Sequence, residues 1–125
     1  MYPEELRYIE THQWARKEDG VVTVGITHYA QSQLGDLVYV ELPQVGQMVT
    51  AGESFGSVES VKAVADVHAP VSGKVVEVNE PVPDAPETIN QDCYGQGWLI
   101  KIEMSDTSEF DQLLTADAYQ KQLEK

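Results

Sequence analysis

The middle of this sequence is written in short β-branched and aromatic runs, each cut off by glycine or proline, and that rhythm limits the fold more than any other feature. Leu37-Val38-Tyr39-Val40-Glu41-Leu42 has the content of a strand and is stopped by Pro43. Gly46, Gly52, Gly56 and Gly73 then recur among the runs Val58 to Val61, Val64 to Val67 and Val75-Val76-Glu77-Val78. A helix would need apolar residues sustained at a period near 3.6, and this stretch has none. Short strands separated by turn residues predict instead a mostly β chain, a compact barrel or sandwich.

The flanking segments add local signals. Asp19-Gly20 separates Trp14-Ala15-Arg16-Lys17 from Val21-Val22-Thr23-Val24, and Asp-Gly supplies the positive φ that a tight hairpin turn needs. Thr27 suits the N-cap of a short helix from His28 to Leu34, which Gly35 would end in the left-handed conformation. Pro81, Pro83 and Pro86 make Glu80 to Asp92 read as a surface loop, and Trp98-Leu99-Ile100-Lys101-Ile102 as a closing strand. Beyond Ser105 the period changes. Phe110, Leu113, Leu114, Tyr119 and Leu123 fall at helical spacings, with Ser108 and Thr115 as caps, so one or two amphipathic helices are expected to pack on the β body.

At 125 residues, 42% of them hydrophobic, the chain is expected to form one domain over residues 1–125. A chain of this size buries roughly 65–70% of its unfolded surface, enough for a core without staples. With 21 acidic and 8 basic side chains the formal charge is −13, which argues against nucleic-acid or anionic-membrane partners, both of which depend on Lys and Arg. The single cysteine, Cys93, excludes an internal disulfide and a Cys-rich zinc site. Met1-Tyr2-Pro3-Glu4-Glu5 begins neither a secretion signal nor a transit peptide, and no apolar run has membrane-spanning length, so a cytoplasmic protein is expected. The charge is also unevenly spread. From Glu18 to Gly73 the acids Glu18, Asp19, Asp36, Glu41, Glu53, Glu59 and Asp66 face a single Lys or Arg, Lys62.

Several familiar motifs are present by accident. Gly52-Glu53-Ser54-Phe55-Gly56 has the spacing of a nucleophile elbow, and Asp66 and His68 follow in order, but the elbow needs a helix after it and more β pattern follows here. Asp66 and His68, two apart on one strand, would share a face and could not form a relay. Gly95-Gln96-Gly97 lacks the third glycine of a dinucleotide fingerprint. His12, His28 and His68 lack ligand spacing, so no metal is expected, and Cys93 reads as an inert or mildly reactive thiol.

Lys62 remains, in Glu59-Ser60-Val61-Lys62-Ala63-Val64-Ala65-Asp66. Strict alternation puts Val61, Ala63, Ala65 and Val67 on one side and Ser60, Lys62, Val64, Asp66 and His68 on the other. No glycine or asparagine adjoins Lys62 to force a turn there. On physical grounds alone most lysines are simply solvated, and composition and periodicity do not by themselves name a function.

The residues themselves carry a resemblance. Val24-Gly25-Ile26-Thr27, Tyr29-Ala30-Gln31, Leu34-Gly35-Asp36, Val40-Glu41-Leu42-Pro43, Val58-Glu59-Ser60-Val61-Lys62-Ala63, Ala69-Pro70-Val71-Ser72-Gly73, Val78-Asn79, Gly97-Trp98 and Leu113-Leu114 together resemble the glycine cleavage H proteins, a family of lipoyl carriers. Ser60-Val61 before the lysine separates this pattern from biotin carriers, which set methionines beside their lysine, and from oxoacid dehydrogenase lipoyl domains, which place Asp before it. The resemblance implies a barrel-sandwich hybrid of two antiparallel sheets with short helices and a C-terminal helix, and Lys62 at an exposed hairpin tip. It further implies lipoate held there as N6-lipoyllysine and no catalysis by the chain alone. The implied partners are a PLP-dependent glycine decarboxylase (P protein), an aminomethyltransferase (T protein), dihydrolipoamide dehydrogenase (L protein) and a lipoate ligase or lipoyltransferase. Two positions depart from the family pattern. Gln13 stands where Glu is usual, at a place suited to holding a cationic aminomethyl group, and Cys93 stands where Pro is usual; Asp66 conforms. These departures keep in view an H-like lipoyl carrier of another pathway, in sulfur oxidation or lipoyl relay.

Overall fold

The structure, a computed structural model, describes residues 2–123. In chain order its strands are β1 (Arg7–Tyr8), β2 (Gln13–Glu18), β3 (Val21–Ile26), β4 (Leu37–Glu41), β5 (Met48–Val49), β6 (Ser54–Ser60), β7 (Val64–His68), β8 (Gly73–Val78) and β9 (Ile100–Met104). Four helices accompany them, α1 (His28–Leu34), α2 (Glu87–Gln91), α3 (Ser108–Asp111) and α4 (Ala116–Leu123). The strands form two antiparallel sheets, one in the order β1-β2-β3-β9-β8-β5 and one in the order β4-β6-β7.

Local chemistry accounts for the clearest joints. Asp19 and Gly20 take φ of 50° and 84°, so β2 and β3 pair from Glu18 opposite Val21 to Gln13 opposite Ile26. The Thr27 hydroxyl accepts from the Ala30 N–H at 3.2 Å, and Gly35, at φ 83°, ends α1 by donating to the Gln31 carbonyl at 2.9 Å.

The main core lies between the sheets. Val22, Val24 and Ile26 of β3, Ile100 and Ile102 of β9 and Val75 of β8 meet Val40, Val58 and Val67 of the smaller sheet, all of them buried. Each such side chain contributes roughly 1.5–3 kcal/mol on leaving water. A second cluster sits on the other side of β2: Leu6, Tyr8 and Trp14 with Ala116 and Tyr119 of α4. Both faces of β2 and β3 are therefore covered, which is why β3 is buried almost throughout rather than alternately.

Three expectations need correction. Residues 80–92 are no loose loop: they form a 3-10 turn over Val82–Asp84 and then α2, with Val82 and Ile89 buried in the main core. Proline suits the start of a helix, where its missing N–H is not needed, and Pro86 stands immediately before α2. The closing strand runs from Ile100 to Met104, two residues later than the aromatic and aliphatic run suggests. Ser108 does not cap α3; its own N–H and hydroxyl donate to the Asp106 carboxylate at 3.0 and 2.6 Å. Thr115 does cap α4, accepting from the Ala118 N–H at 3.2 Å. Among the described residues no helix is long and apolar enough to cross a membrane.

Candidate functional site

The hairpin of β6 and β7 ends in the turn Ser60-Val61-Lys62-Ala63. The Ser60 N–H donates to the Ala63 carbonyl at 2.8 Å. Its hydroxyl accepts from the N–H groups of Ala63 and Lys62 at 3.1 and 3.3 Å and donates to the Ala63 carbonyl at 3.3 Å. A serine side chain thus supplies the bracing that glycine or asparagine gives in other turns. The signal was in the sequence, a serine two residues before the lysine, but it is indistinguishable there from a strand serine.

This turn also breaks the expected alternation. On β7 the pattern holds, with Val64 and Asp66 exposed and Val67 buried. At the tip it fails, because Ser60 is only 3% exposed while Val61 is 86% exposed. Alternate residues face opposite ways only while the backbone stays extended, and the turn rotates Val61 out.

Lys62 is exposed and makes no ion pair among the described residues. Its stem lies beside the end of α1, where a Cβ placed on Gly35 would come within 3.7 Å of Lys62 Cε. All seven acids between residues 18 and 73 are exposed.

Below the tip, β7 borders a cleft of about 170 Å³ whose lining includes Thr11, His12, Gln13, Tyr29, Leu34 and Asp66. Asp66 is its one carboxylate. Gln13, 3% exposed, is occupied locally: its Oε1 accepts from the Thr11 hydroxyl at 2.5 Å and its Nε2 donates to the Thr11 carbonyl at 3.0 Å. His12, at φ 77°, places its Nδ1 2.7 Å from the Tyr119 hydroxyl and its ring 4.7 Å from that of Tyr29. Burial holds the His12 imidazole below its ordinary pKa of 6.5, favouring the neutral ring. The sequence offered no reason to place His12 and Asp66 on one cleft; only the tertiary packing that brings residues 11–13, α1 and β7 together does so.

The family model for the glycine cleavage H-protein matches residues 6–125. The chain belongs to that family. It is 57% identical over 122 residues to the glycine cleavage system H protein of Alcanivorax borkumensis, covering 98% of this chain and 95% of that one. It is 59% identical over 117 residues to the one from Anaeromyxobacter sp., covering 94% and 91%. Its structure matches the crystal structure of a glycine cleavage system H protein from Mycobacterium marinum with a TM-score of 0.91 at 45% identity, over 98% of this chain and 99% of that chain. The expected barrel-sandwich hybrid is the observed fold.

H proteins carry lipoate, so the attachment point must be an exposed, unpaired amine on a surface that an enzyme can straddle; the Lys62 tip fits those requirements. The other sequence candidates do not form sites. Ser54 stands opposite His68 in the strand register, yet its hydroxyl donates to the Gly56 carbonyl at 3.1 Å and not to the imidazole. Cys93 is buried and its thiol is pushed up to about 11, mainly by desolvation, which leaves little thiolate at neutral pH. Among the described residues no three His, Cys, Asp or Glu side chains converge as metal ligands.

Proposed function

We propose that Lys62 is the lipoyl attachment residue, holding lipoate through an amide to its side-chain nitrogen. As an H protein the chain is a carrier component of the glycine cleavage system and not itself an enzyme. In this reading it acts as one carrier unit in the cytoplasm, between the decarboxylase, the aminomethyltransferase and the dihydrolipoamide dehydrogenase, after loading by a lipoate ligase or lipoyltransferase. The observation that carries the assignment is the tip itself: Lys62 is the lone Lys or Arg between residues 18 and 73, exposed on a turn braced by Ser60.

When bound, lipoate supplies a dithiolane that takes up and releases a one-carbon unit and is regenerated by oxidation. The chain's own residues do the positioning. Ser60 fixes the direction in which Lys62 leaves the sheet, and small or apolar neighbours offer the amine no competing partner. Asp66, on β7 four residues after Lys62 in the chain, offers an acceptor for a cationic cargo. Gln13, neutral and already bonded to Thr11, gives such a cargo less than a carboxylate would.

Intact mass after co-expression with a lipoate ligase tests the assignment. The wild-type chain gains one lipoyl increment and Lys62→Ala gains none. An increment missing from the wild type, or equal in both, defeats it.

A further inference from the structure

Among the described residues, four of the seven exposed large apolar side chains lie around the Lys62 tip: Val38, Tyr39, Val61 and Val64, at 52%, 51%, 86% and 65% exposure. The register makes them neighbours. Tyr39 stands opposite Glu59, and Glu59 opposite Val64, in one row across the outer face of the three-stranded sheet. A register irregularity between Leu37 and Tyr39 turns Val38 and Tyr39 outward in succession, while Leu37 and Val40 on either side are buried. Bulges re-aim side chains, and this one spends two apolar residues on solvent where alternation would have hidden one. Exposed apolar residues scattered singly need no explanation, but four gathered around one turn do. Acids border and cross it: Asp36, Glu41 and Asp66 beside it, and Glu59 between Tyr39 and Val64, are exposed and make no ion pair among the described residues.

We infer that this patch is the docking face for the enzyme that acylates Lys62, an inference that rests on the lipoyl assignment above. Acylation joins the amine nitrogen to an activated acyl carbonyl. The amide bond forms, the activating group leaves with the electron pair of its bond to the acyl carbon, and the amine gives up a proton. The reacting carbonyl must come to about 3 Å from the lysine nitrogen, so the acylating enzyme covers the surface on both sides of the turn. Enzymes that act later meet the far end of a longer arm and can stand off. The matching partner surface has apolar pockets for Tyr39 and Val64 with Lys and Arg between and around them to meet Glu59 and the flanking acids, since Lys62, the one Lys or Arg between residues 18 and 73, is consumed by the reaction.

The test compares wild type, the double variant Tyr39→Thr/Val64→Thr and the single variant Val61→Ser as apo proteins, acylated by a purified lipoate ligase with lipoate and ATP. The threonines retain strand preference, and Val61 is too exposed for its loss to threaten the fold. The double variant is expected to lose at least tenfold in kcat/KM, through KM, and Val61→Ser at least threefold. After prolonged loading, their turnover by dihydrolipoamide dehydrogenase should stay within twofold of wild type. Acylation within twofold of wild type in both variants overturns the inference, as does an equal loss with the dehydrogenase. If instead the wild type takes up no lipoyl group, it is the Lys62 assignment that has failed.

Discussion

Two regions of the small protein are built on opposite terms. In the aromatic cluster around α4, Tyr8 stacks on Tyr119 at 4.9 Å between ring centres, and Trp14 is completely buried with its indole N–H on the Cys93 carbonyl at 2.9 Å. The Tyr119 hydroxyl lies 2.8 Å from Thr27 Oγ1 and 2.7 Å from His12 Nδ1, and burial pushes that phenol up to about 12. Nearly every polar atom there has a partner within the chain. At the hairpin, apolar and acidic side chains face solvent and the turn is held by one backbone hydrogen bond and one serine hydroxyl. The difference teaches where stability is stored and where it is withheld: the aromatic cluster holds the fold, and the hairpin is left bare for other proteins.

Three substitutions break or sharpen that contrast. Trp14→Ala carries the largest expected effect. The ring packs over Gly25, its register partner, where even a Cβ would come within 2.6 Å, and under the Arg16 guanidinium at 5.5 Å. Its loss should cost about 3–5 kcal/mol in urea denaturation, while Lys62 is still lipoylated in the fraction that folds. Ser60→Ala should cost only about 1 kcal/mol but concentrate its effect: amide hydrogen exchange at Lys62 and Ala63 becomes roughly fivefold faster, with no change around Trp14. A spread of the change into the aromatic cluster would show that the two regions are not independent.

The smallest effect concerns pH. Because burial lowers the folded pKa of His12, the unfolded chain takes up a proton near 6.5 that the folded chain refuses. Below that value the unfolded state binds more protons, so stability falls as the solution is acidified through it. His12→Gln should flatten this part of the melting-temperature profile between about pH 8 and about pH 5. An unchanged profile would mean that the imidazole is freely solvated.

Much of this molecule was legible before its structure. The Asp19-Gly20 turn, α1 with both of its caps and the strand character of residues 37–41 are local problems, settled by positive φ, a hydroxyl at an N-cap and β-branching. Lys62 stood out through charge and through its neighbours. Segment 80–92 was misread because three prolines suggest a loop, while what orders it is burial of Val82 and Ile89 under strands distant in sequence. Val61 was misread because alternation was carried through a turn whose position no glycine announced.

The sequence by itself determined the strand-rich class, the hairpin joints and the one lysine in an acidic stretch, because these depend on residues adjacent along the chain. Tertiary structure alone decided that Ser60 turns inward to brace the tip, that His12 and Asp66 border one cleft, and that Tyr39 and Val64 share a row beside Lys62. Those relations come from register and from the packing of two sheets, in which residues far apart in sequence become neighbours, and no local propensity encodes them.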